Sequence, residues 1–364
     1  MADALHYLEL TALAAHLKAR EISALEVTRA QLDRIDSIDR DLGSYVHVMA
    51  ETAMAEAEAA DADIAQGRYR GPLHGVPIAL KDLFWTEGIP TAAGTTLHRD
   101  FRPSADATVV RRLKNAGAVI LGKVQLTEGA YADHHPLVKP PKNPWNASYW
   151  PGISSSGSAV ATAAGLCFGS LGSDTGGSIR WPCAANGLTG LKPSWGRVSR
   201  HGTFELAATL DHVGPIGRSA ADVGALLGVI AGHDPNDPTS LVDPVPDYLA
   251  AAAQDVRGCG SASIPPGTAT TWTLRPSACW RTPSMPSARL APTPLMSDFP
   301  TSRRRSPTGR RTVRWKLRSL MRRPIPLARM SMVRSSPPCS RPAALYLLST
   351  IRRSCCGGWR YAAG

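Results

Sequence analysis

The chain has 364 residues, 43% hydrophobic and 19% charged, with a formal net charge of +12. That is room for one large or two ordinary domains of average globular composition. The basic average hides two texts: through Val256, 21 Lys and Arg face 28 Asp and Glu, whereas from Arg257 onward 20 face a single acid, Asp298. The mildly acidic first part is therefore not expected to bind nucleic acid, and only the tail could do so, adventitiously.

In chain order, the first ten residues carry acids and no basic segment before an apolar core, so they do not read as a signal peptide. No apolar run reaches the length of a membrane span. A cytoplasmic protein with no membrane contact is expected. Residues 10–20 show helical spacing, and Ser23 with Glu26 forms a capping-box pattern before a second helix to about Ile38. Leu25, Val27, Leu32 and Ile35 can supply its buried face. Glu51 to Gln66 predicts a third helix.

After the punctuation Gly71-Pro72, the run Ile78 to Leu83 suits a buried strand, and Lys81 inside it is the anomaly. Thr91 to Thr95 is a small-residue loop. Asp106 can cap a helix through Leu113 and Lys114, with Ala118 to Leu121 as the next strand. This alternation implies an α/β fold. Further on, Val198-Ser199 reads as strand-like, Ala220 to Ile230 as a helix, and Asp234 to Pro238 as a loop. Cys167 and Cys183, the only cysteines before Arg257, suggest a reducing compartment without a disulfide framework.

The stretch Pro151 to Pro182 carries the chemistry. Ser154, Ser155 and Ser156 precede a run of small apolar residues, Ala159 to Leu166, that reads as a buried helix. A Gly/Ser segment from Gly172 to Arg180 follows and reads as a loop. A lysine in an apolar setting loses solvation of its charged form and becomes a base near neutral pH. A serine hydroxyl needs such a base to attack. The backbone N–H groups of Thr175, Gly176, Gly177 and Ser178 can converge on the oxyanion of a tetrahedral intermediate. The reaction class implied is acyl transfer from an amide or ester.

Rival motifs fit less well. A phosphate loop needs Lys-Ser/Thr after its last Gly, and Ile179-Arg180 follow Ser178 instead. The Gly-x-Ser-x-Gly elbow lacks its final Gly, and no Lys stands three residues after a Ser. A histidine-based triad stays open through His74, His134, His135, His201 and His212. No Cys/His cluster with metal-ligand spacing occurs, and no metal or cofactor is expected.

Three segments, Gly71 to Asp82, Pro151 to Ser158 and Gly172 to Arg180, resemble the motifs of the amidase signature family, and the likeness extends to about Val256. The resemblance implies an α/β/α sandwich with a mixed, mostly parallel twisted sheet. It also implies a Ser–Ser–Lys triad acting on a small-molecule amide: Ser178 as acyl nucleophile, Ser154 as bridging serine behind a cis peptide bond, and Lys81 as base. Asp174 and Arg180 can pair to hold the turn. Ile153 stands where the family often has Gly, and its β-branch restricts the backbone there. The amidase subunit of a tRNA-dependent amidotransferase is the alternative within the same fold, and a homodimer is left open.

Residues 1–256 are thus read as the amidase signature domain and 257–364 as a basic, disordered tail. The tail is rich in Arg, Pro, Ser and Cys and nearly without Lys or acids, as an out-of-frame reading of a GC-rich gene would be. A third alternative is accordingly a truncated, inactive homologue whose basic tail binds nucleic acid.

Overall fold

The computed structural model describes residues 5–253. The expectations of a disordered, out-of-frame segment from Arg257 onward lie outside the described residues.

Helix α1 spans Leu10–Ala19 and α2 spans Ala24–Leu42. The capping box at the start of α2 forms as expected: Ser23 Oγ accepts the Glu26 N–H at 3.1 Å, and Glu26 Oε2 accepts the Ser23 N–H at 2.9 Å. The helix runs past Ile38 to Leu42, where Gly43 stops it with a left-handed φ of 67°. Its buried face includes Ala24, Val27, Gln31 and Ile35, while Leu25 and Leu32 are only partly buried.

Strand β1 (Tyr45–Val48), which the sequence pattern did not suggest, leads into α3 (Ala50–Ala65), and β2 follows at Pro77–Lys81. Helix α4 is Thr108–Asn115. Asp106 does not cap it. Its carboxylate instead accepts the Glu87 N–H at 2.8 Å and binds Lys114 Nζ at 2.7 Å. Strand β3 (Val119–Val124), α5 (Ser156–Ala163), β4 (Gly169–Asp174) and α6 (Arg180–Asn186) come next. Then β5 (Thr189–Gly190), β6 (His212–Gly217), α7 (Ala220–Ile230) and α8 (Tyr248–Ala252) complete the described fold. The strand-like Val198 makes a single bridge, to Ala231.

The six strands form one mixed sheet in the order β1-β3-β2-β4-β6-β5. Only the central trio β3-β2-β4 is parallel, and the other three pairings are antiparallel, so the sheet is less parallel than expected. Every residue of β2, β3 and β4 is buried, which requires cover on both faces of the sheet.

The segment read as a Gly/Ser loop begins as strand, because β4 (Gly169–Asp174) takes in its first three residues, Gly172 to Asp174. Its glycines reflect close packing. A Cβ on Gly169 would stand 2.9 Å from Leu226 Cδ1, and one on Gly172 would stand 2.8 Å from Ser155 Oγ. The three parallel strands end together, on Lys81, Val124 and Asp174. The crevice beyond such carboxyl ends is where open α/β sheets place their sites.

Candidate active site

Lys81 closes β2 with no exposed surface. Its Nζ lies 2.7 Å from Ser154 Oγ, 2.8 Å from Ser173 Oγ and 3.0 Å from Ser155 Oγ. Burial lowers its pKa from 10.5 to about 7, against the opposing pull of the Asp174 and Asp211 carboxylates. At neutral pH a large share of Lys81 is therefore free amine, which has one lone pair to fill.

The hydroxyl hydrogens narrow what fills it. Ser155 Oγ donates to Ser173 O at 3.2 Å and accepts the Ser173 N–H at 3.3 Å. Its single hydrogen is spent there, so toward Lys81 it can only accept. Ser154 and Ser173 remain as hydroxyls able to donate to the amine.

Backbone bonds hold the serine segment in place. Thr127 N–H donates to Ser154 O at 3.3 Å, tying it to the exit of β3, and Ser155 N–H donates to Ser178 O at 3.2 Å. Lys81, Ser154 and Ser178 are thereby gathered from three separate segments. Only Ser178 among them keeps exposed surface, 7% against none for the other two. The Ile153–Ser154 peptide is cis. The left-handed position in this loop is Gly152 (φ 86°), where a Cβ would collide with Pro182, so Ile153 itself meets no such demand.

The turn after β4 is built around Asp174. Its carboxylate takes a two-point contact from Arg180, Nε at 3.0 Å and Nη2 at 2.9 Å, and accepts the Gly177 N–H at 2.8 Å and the Ile179 N–H at 3.2 Å. Burial acts to raise the Asp174 pKa, but the Arg180 guanidinium and these N–H groups prevail and hold it below the usual carboxylate range. The Gly177 N–H, expected among the oxyanion donors, is thus directed at Asp174. Gly177 itself has φ 139°, and the Trp181 ring occupies the place of a Cβ.

Three participants escaped the sequence reading. Ser173 sits within β4. Asp211 accepts the Thr175 hydroxyl at 2.6 Å and the Leu206 and Ala207 N–H groups at 2.9 Å, and its charge acts on Lys81. Lys123, also fully buried, pairs with Asp82 at 3.0 Å and donates to Phe84 O and Thr91 Oγ1. A lysine inside the apolar run of β3 is the same anomaly that singled out Lys81. Of the histidines considered, His134 reaches Ser156 Oγ at 3.0 Å and His212 reaches Asp174 O at 3.1 Å. Among the described residues, none bonds Ser154 or Ser178.

A buried lysine ringed by serine hydroxyls, beside a glycine turn at the ends of parallel strands, defines an α/β protein with a serine–lysine site. The family model described as Amidase matches residues 26–260, and the chain belongs to this amidase signature family. It is 61% identical over 248 residues to a Mycobacterium tuberculosis protein named AmiD, covering 68% of this chain and 52% of that one. It is 48% identical over 246 residues to a glutamyl-tRNA(Gln) amidotransferase subunit from Anaeromyxobacter dehalogenans, covering 67% and 50%. The native peptide amidase of Stenotrophomonas maltophilia is similar in structure, with a TM-score of 0.64 at 40% identity over 67% of this chain and 52% of that one. The chain spans about half the length of the curated relatives it matches. No helix among the described residues is long and apolar enough to cross a membrane.

Proposed function

We propose that residues 1–256 carry the catalytic core of an amide hydrolase working through a Ser178 acyl-enzyme. The observation that supports this most is Lys81 Nζ, sealed from solvent, 2.7 Å from Ser154 Oγ. In this reading neutral Lys81 takes the Ser154 proton as Ser154 takes the Ser178 proton, and Ser178 Oγ attacks the amide carbonyl. The N–H groups of Thr175, Gly176 and Ser178 stabilise the oxyanion, with Gly177 left to Asp174. The proton returns through Ser154 to the leaving amine, and water releases the acyl group. The Asp174–Arg180 pair holds the turn that presents Ser178.

A fluorophosphonate probe tests this assignment. Wild type should be labelled on Ser178, Ser178→Ala not at all, and Lys81→Met far more slowly. Equal labelling of the Ser178→Ala variant rejects the nucleophile. The amidotransferase reading draws support from the relative at 48% identity. Ammonia transfer to a glutamylated tRNA in the presence of partner subunits, without release of free acid from simple amides, would favour it.

A further inference from the structure

We propose that His212 is a positioning residue that aims the Thr175 N–H at the oxyanion. This deepens the amide-hydrolase reading and rests on it.

His212 stands directly opposite Asp174 in the β4–β6 ladder. Its Nδ1 lies 3.1 Å from Asp174 O and 2.6 Å from Leu210 O. Carbonyl oxygens only accept, so Nδ1 carries the hydrogen and donates to both. The Asp174 carbonyl and the Thr175 N–H belong to one planar peptide unit. A donor on that carbonyl therefore adds to the ladder pairing of Asp174 with His212 in setting the plane in which the Thr175 N–H points. It also polarises the group, since hydrogen bonds in series strengthen one another.

The other end of Thr175 is held by the neighbouring residue on the same strand entry, since Thr175 Oγ1 donates to Asp211 Oδ1 at 2.6 Å. Asp211 and His212 thus grip Thr175 from two sides. The Asp174 carboxylate holds the later part of the turn through the Gly177 and Ile179 N–H groups, while a Cβ placed on Gly176, next to Thr175, would meet nothing within 4 Å. An oxyanion donor is effective to the extent that it is oriented before the charge develops. Asp211 is a poor probe of this role, because its charge also acts on Lys81. His212 can be changed without that confusion.

The test uses the full chain and an aromatic anilide substrate. His212→Ala should lower kcat by about 10- to 100-fold with KM unchanged, less than the ~100- to 1,000-fold cost of deleting an oxyanion donor outright. His212→Asn, whose amide N–H can replace the Nδ1 donor, should restore most of the rate. His212→Leu takes the place of the Ala variant if that one does not fold. A peptide aldehyde that adds to Ser178 should bind the Ala variant more weakly by the same factor, while the corresponding alcohol binds as before. An unchanged kcat, failure of Asn to rescue, or equal weakening of aldehyde and alcohol overturns the role of His212. A wild type that shows no aldehyde preference, or a Ser178→Ala variant that keeps it, overturns the acyl-enzyme reading itself and this inference with it.

Discussion

Lys81 and Lys123 lie on neighbouring strands, one residue out of register, and face opposite sides of the sheet: Leu80 pairs with Lys123, and Lys81 with Val124. Both are fully buried, and burial lowers the pKa of both. Their partners differ. Lys123 meets the Asp82 carboxylate, which opposes the shift and favours an ion pair, whereas Lys81 meets only hydroxyls at contact distance. One sheet thus holds one buried lysine against a carboxylate and the other against hydroxyls alone.

The pH profile should follow Lys81. Amide hydrolysis should rise as pH rises through about 7, where the amine loses its proton. Stability carries the same signature. The folded pKa lies below the unfolded 10.5, so between about 7 and 10.5 the unfolded chain binds the extra proton and folding gains with rising pH. Urea unfolding of wild type and Lys81→Met across this window should show the balance moving toward wild type as pH rises. A constant difference would mean that Lys81 titrates normally.

Asp174 acts on Lys81 by charge, raising its pKa against burial. Asp174→Asn should therefore move the acid limb of the rate profile below 7, besides loosening the Ser178 turn. Arg180→Gln should leave that limb near its place and lower the rate. It should also flatten the acid-induced loss of stability. The depressed Asp174 pKa contributes stability above the unfolded value of 3.8, which is lost as pH falls through the folded value. Thermal unfolding between neutral pH and pH 3 measures it.

Removing one partner of the Asp82–Lys123 pair leaves a buried charge unmatched. Lys123→Met should cost about 3–5 kcal/mol, and adding Asp82→Asn should recover a substantial part. Chemical denaturation of both variants decides between this and a pair of no consequence.

Gly157 opens the second position of α5, where a Cβ would meet the Gln125 N–H and stand 2.6 Å from Ser44 O. Gly157→Ala should push α5, and with it Ser154 and Ser155, off the end of β3. About 1–3 kcal/mol of destabilisation is expected, together with a fall in kcat. An active variant of native stability would show that α5 tolerates the shift.

Elements with a local signal were legible in the sequence. The Ser23 capping box and the apolar α7 came through because their residues act on near neighbours. Strand β1 has four residues, two of them exposed, too short to mark a period. Strand β4 is written in Gly and Ser because α5 and α7 press against it, and such residues look like loop until the packing is known. At the site, Lys81, Ser154 and Ser178 stood out through a misplaced charge and recurring motifs. Asp211 did not, and His212 was one of five histidines with nothing to single it out, since only the antiparallel pairing of β4 with β6 brings the two to Thr175 and Asp174.

The sealing of Lys81 has a consequence for the traffic of hydrogen. With no exposed surface, the amine has no contact with buffer acids or bases. In the proposed chemistry the hydrogen it receives during attack leaves by the hydroxyls through which it came, within the same turnover. Solvent then sets how many molecules start a cycle with the amine empty, while buffer concentration leaves the rate of each cycle untouched.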